Sequence, residues 1–512
     1  MIKYYDIHCH VFNKSIINNR IINLFIPLLD LLDSDKKGHL LNTENVEHVL
    51  NRLDNFLSAF LKDRSEDVFK ILDNAYNNAF VFTPLMFDLT YADDNYGTRL
   101  QNLAYKERRE IIIDWLEEAI KVLKLKSKLS PEVEEKLDAL MDPEKGKIKS
   151  ILNLREDVFN ANNFEQQIKD LEDLSQNDRV KPFFSIDPRR YYKGHLNLIN
   201  LIQEKVLSPD AKFIGVKLYA PAGFSPTDPI LYGTEDSDEG VYKFCMENKI
   251  PITVHCSDSG FACTSRFLKV RGHINQNDSI KFYKDFEKIK FRTKFFSIKA
   301  AEAIKERAEV LNHPKLWNIV LKRFPELKLN LAHFGGSNSI MEYVNYVVPD
   351  KIKIADFKDM IEALDLEQRE IVFTYYTKKA RKYEVKDEIL PKEKILLWNV
   401  LYHAGIIDNW SKAIFDIINN PKYKNVYTDL SCFSEGKFVN GEYTIKHQLT
   451  IFKSMLFDNL RPDVKNKILY GSDFFFCLMF GPTMENYIKE FRNVFKDDFD
   501  TIANVNPERF LN

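Results

Sequence analysis

The chain is 512 residues long, with 73 basic and 75 acidic side chains, and a net charge of −2 gives no support to a nucleic-acid footprint. That length permits two or three average domains, or one large barrel carrying insertions. Six cysteines without C-x-x-C spacing are too few for a disulfide scaffold and suit a reducing compartment, so a cytoplasmic protein is expected. No signal peptide is expected, because Met1 leads directly into a strand-like run. The longest apolar stretch, Ile21 to Leu32, is broken by Asn23, Pro27 and Asp30 and falls short of a membrane span.

In chain order, the first run is Tyr4–His10, which ends in His8-Cys9-His10. Alternate side chains of a strand share a face, so the two imidazoles lie roughly 7 Å apart and can grip one divalent ion. Seven more short apolar, β-branched or aromatic runs follow: Ala79–Leu85, Val180–Ile186, Phe213–Tyr219, Ile252–His255, Leu327–His333, Val426–Leu430 and Ile468–Asp473. Helical stretches separate them, and no internal repeat is present. Eight strands alternating with helices predict an α/β fold, a (β/α)8 TIM barrel. Nearly every run ends in a chemically capable residue: His10, Asp187, Lys217, His255, His333 or Asp473. In such a barrel the carboxyl ends of the strands form one mouth, so these residues converge there.

About 250 residues suffice for a bare barrel, so roughly half the chain lies in insertions within one domain spanning 1–512. Helical insertions are expected at about 99–175, 262–325 and 340–400. In the first, Glu107 to Leu125 carries Ile111, Ile112, Trp115, Ala119, Ile120 and Leu123 at helical spacing. Segments that follow strand ends, including Val11 to Leu41, belong to the face of the site and are expected to act as lids. Glu393 to Ala404 and Ser411 to Asn419 form a helix pair parted by Gly405, with Trp398 and Trp410 assigned to packing. Gly335-Gly336 lacks a following Walker lysine, so it is read as close backbone passage rather than a phosphate cradle.

Taken together, Asp6-Ile7-His8-Cys9-His10, Thr253-Val254-His255, Leu331-Ala332-His333-Phe334-Gly335-Gly336 and Tyr470-Gly471-Ser472-Asp473 resemble the motifs of the metal-dependent amidohydrolase superfamily. The closest branch looks like the amidohydrolase-related group that includes aminocarboxymuconate-semialdehyde decarboxylase. Weaker echoes are Ser185-Ile186-Asp187-Pro188-Arg189, Gly215-Val216-Lys217-Leu218-Tyr219, Tyr427-Thr428-Asp429-Leu430-Ser431 and Asn506-Pro507-Glu508-Arg509-Phe510-Leu511. The resemblance implies a catalytic ion, usually zinc, held by His8, His10, His255 and Asp473. It implies His333 beside the ion, as a base or electrophile with one metal and as a further ligand with two. Lys217 is either carboxylated between two metals or a cation that binds an anionic substrate, and the single-metal arrangement is favoured.

The expected function is therefore a metal-dependent hydrolase that turns a metal-activated water on a C–N or ester bond of a small polar substrate, with Asp473 carrying the proton. Non-oxidative decarboxylation of a small carboxylated substrate is the alternative, and a catalytically silent ligand-binding barrel is a third. Arg189, Tyr219 and Arg266 are the candidate substrate-binding side chains. No nucleic-acid or membrane partner is expected, and the resemblance implies a homodimer.

Overall fold

The computed structural model describes residues 4–13, 43–92, 130–142, 164–192, 197–293, 300–347 and 408–512, apart from 78, 143–145 and a few isolated positions, together with 114, 121 and 146. Each of the eight sequence runs carries a parallel strand: β1 (Tyr4–Cys9), β2 (Phe80–Pro84), β3 (Phe183–Ile186), β4 (Gly215–Leu218), β5 (Ile252–Ser257), β8 (Leu329–Gly335), β9 (Val426–Asp429) and β12 (Ile468–Leu469). Six of these form one parallel sheet in the order β12-β9-β8-β5-β4-β3, and β1 pairs with β2. The pair touches both edges of the larger sheet. On one side Cys9 bridges Phe474 and the Asp473 amide donates to His8 O at 2.7 Å; on the other, Phe82 bridges Val180 and Leu85 bridges Phe183.

Parallel strands need long crossovers, and these are largely helical. Trp410–Asn419 begins where the Asn409 side chain accepts from the Lys412 amide, and it packs on β8 and β9 through Ile414, Ile417 and Ile418. Gly335 makes room for it: with φ +87°, a Cβ there would lie 2.7 Å from the Ser411 amide nitrogen.

The strand faces grade from greasy to polar along the chain direction. Tyr5, Val81, Phe183, Tyr427 and Leu469 form one buried apolar cluster, closed by Phe510 from the last helix, Asn506–Leu511. Gly215 opposes Phe183 in this layer, where a Cβ would meet the phenyl ring at 2.4 Å. Two residues further on, the register sets Ser185, Lys217, Thr253 and Asn330 side by side, all buried. A polar row above an apolar floor leads up to the histidines.

In β1 the pairing with β2 slips between Asp6 and Cys9. Tyr5 and Ile7 belong to the apolar floor, and the extra residue turns His8 and His10 onto that same interior side. Asp6 is left buried on the far side. Its Oδ1 accepts from the His8 amide at 3.3 Å and the Ser472 amide at 2.9 Å, which pins the bulge to the end of β12.

The insertion expected to be helical over 262–325 is mixed. Phe267–Gln276 (β6) and Ser279–Lys290 (β7) form an antiparallel hairpin, and helices Ala300–Leu311 and Pro314–Arg323 follow. Leu268, Val270 and Ile274 alternate with exposed or half-buried residues and are buried at period two, which a helix cannot do. The β10–β11 pair (Lys437–Val439, Glu442–Thr444) is a second hairpin absent from the sequence expectation. Most of Glu107 to Leu125, most of Val11 to Leu41 and all of 348–407, including Glu393 to Ala404, lie outside the described residues. Among the described residues no helix is long and apolar enough to cross a membrane.

Candidate metal centre

His8, His10 and Asp473 meet at the carboxyl ends of β1 and β12. His10 Nε2 lies 3.3 Å and His8 Nε2 3.5 Å from Asp473 Oδ1. The other ring nitrogens fix both tautomers. His10 Nδ1 is 2.8 Å from the Leu85 carbonyl, which only accepts, so Nδ1 carries the proton. His8 Nδ1 donates in the same way to Asp429 Oδ2 at 3.1 Å. Burial draws both imidazoles below their ordinary pKa, so they are neutral and each turns an Nε2 lone pair inward. Asp473 is also charged: burial raises its carboxyl, but the facing His10 and the nearby His333 and His8 outweigh that and hold it below the usual range.

Three electron-rich atoms thus face one another with no proton to share. His8 Nε2 and Asp473 Oδ1 are buried and have no hydrogen-bond partner among the described residues. Such a group is repulsive unless a cation fills it. The fit is geometric as well: ligands about 2.05 Å from a tetrahedral ion stand about 3.3 Å from one another, close to the spacings from Asp473 to the two rings.

His333 lies two residues before the end of β8, beside this trio, its ring centroid 4.6 Å from that of His8. Its φ of +67°, like the +54° of Asp473, lies in the left-handed region where non-glycine residues are strained. Both residues are held there by neighbouring strands, His333 through its amide donating to Asp429 Oδ1 at 2.9 Å. Gly471 permits the approach of β12 to β1, since a Cβ there would sit 2.7 Å from His8 Cβ.

His255 stands apart from the trio. Its Nε2 donates to the Ser259 carbonyl at 2.7 Å, its Nδ1 lies 3.0 Å from His333 Nε2, and its ring stacks on Tyr219 with centroids 4.5 Å apart. Burial draws His333 down to about 4, and burial with the neighbouring His333 holds His255 well below the ordinary value. Both rings are neutral. Ser431 Oγ lies 2.9 Å from His333 Nδ1 and gives its own proton to Asp429, so His333 Nδ1–H is the donor to Ser431. His255 Nδ1 and His333 Nε2 then meet as two acceptors, a second place that wants a proton or a cation.

Lys217 projects from β4 into the same space. It is fully buried, and its Nζ has no hydrogen-bond partner among the described residues. Burial pulls its ammonium down to about 8, against the upward pull of Asp429 and Asp473. Tyr219 OH accepts from the Phe261 amide at 2.7 Å, which holds the loop over His255. A Cβ on Gly260 of that loop would meet Tyr219 OH at 2.5 Å.

Other strand-end residues are engaged elsewhere. Asp187 caps the turn Pro188–Tyr191 and grips Arg189 through Nε (2.9 Å) and Nη2 (2.5 Å), while Arg189 also donates to the Tyr91 and Ala222 carbonyls. Arg190 forms a matching pair with Asp88. Arg266 Nε is buried without a partner among the described residues. In the sequence Asp429 and Ser431 stand only in the weaker echo Tyr427-Thr428-Asp429-Leu430-Ser431. The structure puts them under His8 and His333, and the signal available was an Asp-x-Ser at the end of a strand in a chain whose other strand ends carry histidines.

No protein-family model matches the chain, and no curated protein does. Among solved structures it is similar to a protein described as amidohydrolase II, at 12% identity over 68% of this chain and 76% of that one, with a TM-score of 0.32. It is also similar to a dihydroxybenzoic acid decarboxylase from a Polaromonas species, solved with bound manganese and the inhibitor 2-nitroresorcinol, at 10% identity over 68% and 76% and a TM-score of 0.28. At such scores the site's own geometry is the ground for a function.

Proposed function

We propose that this chain is a metal-dependent enzyme of the amidohydrolase superfamily, with its eight parallel strands closed as a (β/α)8 barrel, and that it hydrolyses a C–N or ester bond in a small polar substrate. The observation that carries the proposal is the meeting of His8 Nε2, His10 Nε2 and Asp473 Oδ1 with no proton among them. The bridges from β1 and β2 to both edges of the six-stranded sheet support the barrel.

His8, His10 and Asp473 would hold one ion, zinc being the expected metal, and His255 would join them through Nε2 with its proton moved to Nδ1, where His333 Nε2 accepts it. A divalent ion in such a site supplies Lewis acidity that brings a water's pKa to about 7. Asp473 accepts the proton the water sheds on attack and returns it to the leaving group. His333, neutral at working pH, polarises or deprotonates from the flank. Lys217 is cationic below about pH 8 and, buried in the same space, would stabilise the negative charge that grows on the substrate's oxygen.

Hydrolysis is placed ahead of decarboxylation because, of Arg189, Arg190 and Arg266, the arginines that could clamp a substrate carboxylate, Arg189 and Arg190 are bound to Asp187 and Asp88. The test is a screen of amide, amidine and ester substrates with and without a chelator. Turnover that a chelator abolishes and a divalent ion restores supports the proposal. Turnover that survives exhaustive chelation overturns it.

A further inference from the structure

His8, His333 and Asp429 form a second group of close ligand atoms, so Asp429 invites assignment as a ligand of a second ion. Its surroundings argue otherwise. Asp429 Oδ2 accepts from Asn330 Nδ2 at 2.7 Å and His8 Nδ1 at 3.1 Å. Asp429 Oδ1 accepts from the His333 amide at 2.9 Å, the Ser431 amide at 3.1 Å and the Ser431 hydroxyl. Five donors converge on a carboxylate that has about four lone-pair positions, so none is left for a cation. Asp473 is the reverse, with an Oδ1 that no donor reaches among the described residues.

We propose that Asp429 is a positioning residue: by taking the proton of His8 Nδ1 it fixes the tautomer in which His8 Nε2 is a bare lone pair aimed at Asp473. Through Ser431, whose hydroxyl it accepts and whose Oγ lies 3.0 Å from His8 Nδ1 and 2.9 Å from His333 Nδ1, the same carboxylate sets the orientation of both rings. Carboxylates behind metal-binding histidines act in this way, and losing one typically weakens metal binding 10- to 100-fold. The proposal rests on the metal centre above and deepens it, because it removes Asp429 from the ligands of a second ion.

Asp429→Asn tests it with a change of shape near zero. Two of the donors to Oδ1, the His333 and Ser431 amides, belong to the backbone and cannot turn around, so the asparagine must keep its oxygen there. Its NH2 then faces His8 and Asn330. Asn330 can rotate its amide to accept, its Oδ1 having no partner among the described residues, but His8 can accept only by moving its proton to Nε2. The variant should therefore carry an N–H where wild type carries a lone pair. Histidine 15N–1H correlation spectra of the metal-free proteins read this directly, with the His8 signals assigned through a His8→Gln control.

Wild type should show His8 protonated at Nδ1, the variant should show it protonated at Nε2, and divalent-ion affinity should fall 10- to 100-fold. Wild-type His8 protonated at Nε2, which needs no variant to observe, overturns the proposal. So does a variant with the wild-type tautomer and affinity, or a wild type that binds two ions through Asp429. If the tautomers differ as described but wild type binds no metal, the positioning role stands and the metal proposal falls.

Discussion

Asp473→Asn separates the stability of the metal centre from its function. Asp473 Oδ1 faces His10 Nε2 at 3.3 Å and His8 Nε2 at 3.5 Å, and all three atoms are acceptors. An asparagine that turns its NH2 to that point donates to one or both rings. It is also a residue that tolerates the φ of +54°. Each hydrogen bond gained is worth about 0.5–1.5 kcal/mol, so the metal-free variant should be more stable than wild type by about 1–2 kcal/mol. The attraction between Asp473 and the Lys217 ammonium opposes this gain and must be removed from the comparison. Urea melts at pH 9 in the presence of a chelator do so, because Lys217, at about 8, is then mostly neutral. With excess divalent ion the order should reverse, since a ligand at about 1,000 times its Kd stabilises the protein that binds it by about 4 kcal/mol. A metal-free Asp473→Asn that is less stable than wild type at pH 9 would refute the charge arrangement on which the metal centre is built.

Lys217 gives a pH signature. Its folded pKa of about 8 lies below the unfolded value of 10.5, so the unfolded chain binds more protons between those pH values, and stability rises with pH across that window. The full rise is about 3 kcal/mol for a shift of this size, and Lys217→Met should abolish it; equal slopes for both proteins in urea melts from pH 8 to 10.5 would contradict the lowered pKa of the buried amine. His333→Asn should keep its metal and lose turnover by about 10²–10⁴-fold, as expected for a base or polarising group. Parallel loss of metal, read by elemental analysis, would make His333 a ligand instead.

The strands were legible because parallel strands buried on both faces read as short apolar runs, and their polar ends stood out against them. His8 and His10 were found from spacing alone, although the bulge that turns them inward has no signal in Tyr4–Cys9. The hairpin Phe267–Lys290 is hidden in the sequence because its second strand, with Lys281, Phe282, Lys284, Phe286 and Lys288, is exposed on both faces and carries no alternation to pair with that of Leu268, Val270 and Ile274. Asp187 and Arg189 looked like site residues, yet they satisfy each other, and a salt bridge two residues apart at a strand end cannot be told from a free pair in sequence. Asp429 was the opposite case: a carboxylate at a strand end more often caps a helix, and only the convergence of five donors reveals what it holds.

The most direct measurement is the divalent-metal content of the purified protein set against that of the His8→Ala, His10→Ala double variant. The account predicts one ion per chain in the wild type and none in a double variant whose circular dichroism and melting remain those of a folded protein. A full metal complement in the double variant, or a wild type that binds no divalent ion after reconstitution, would contradict it.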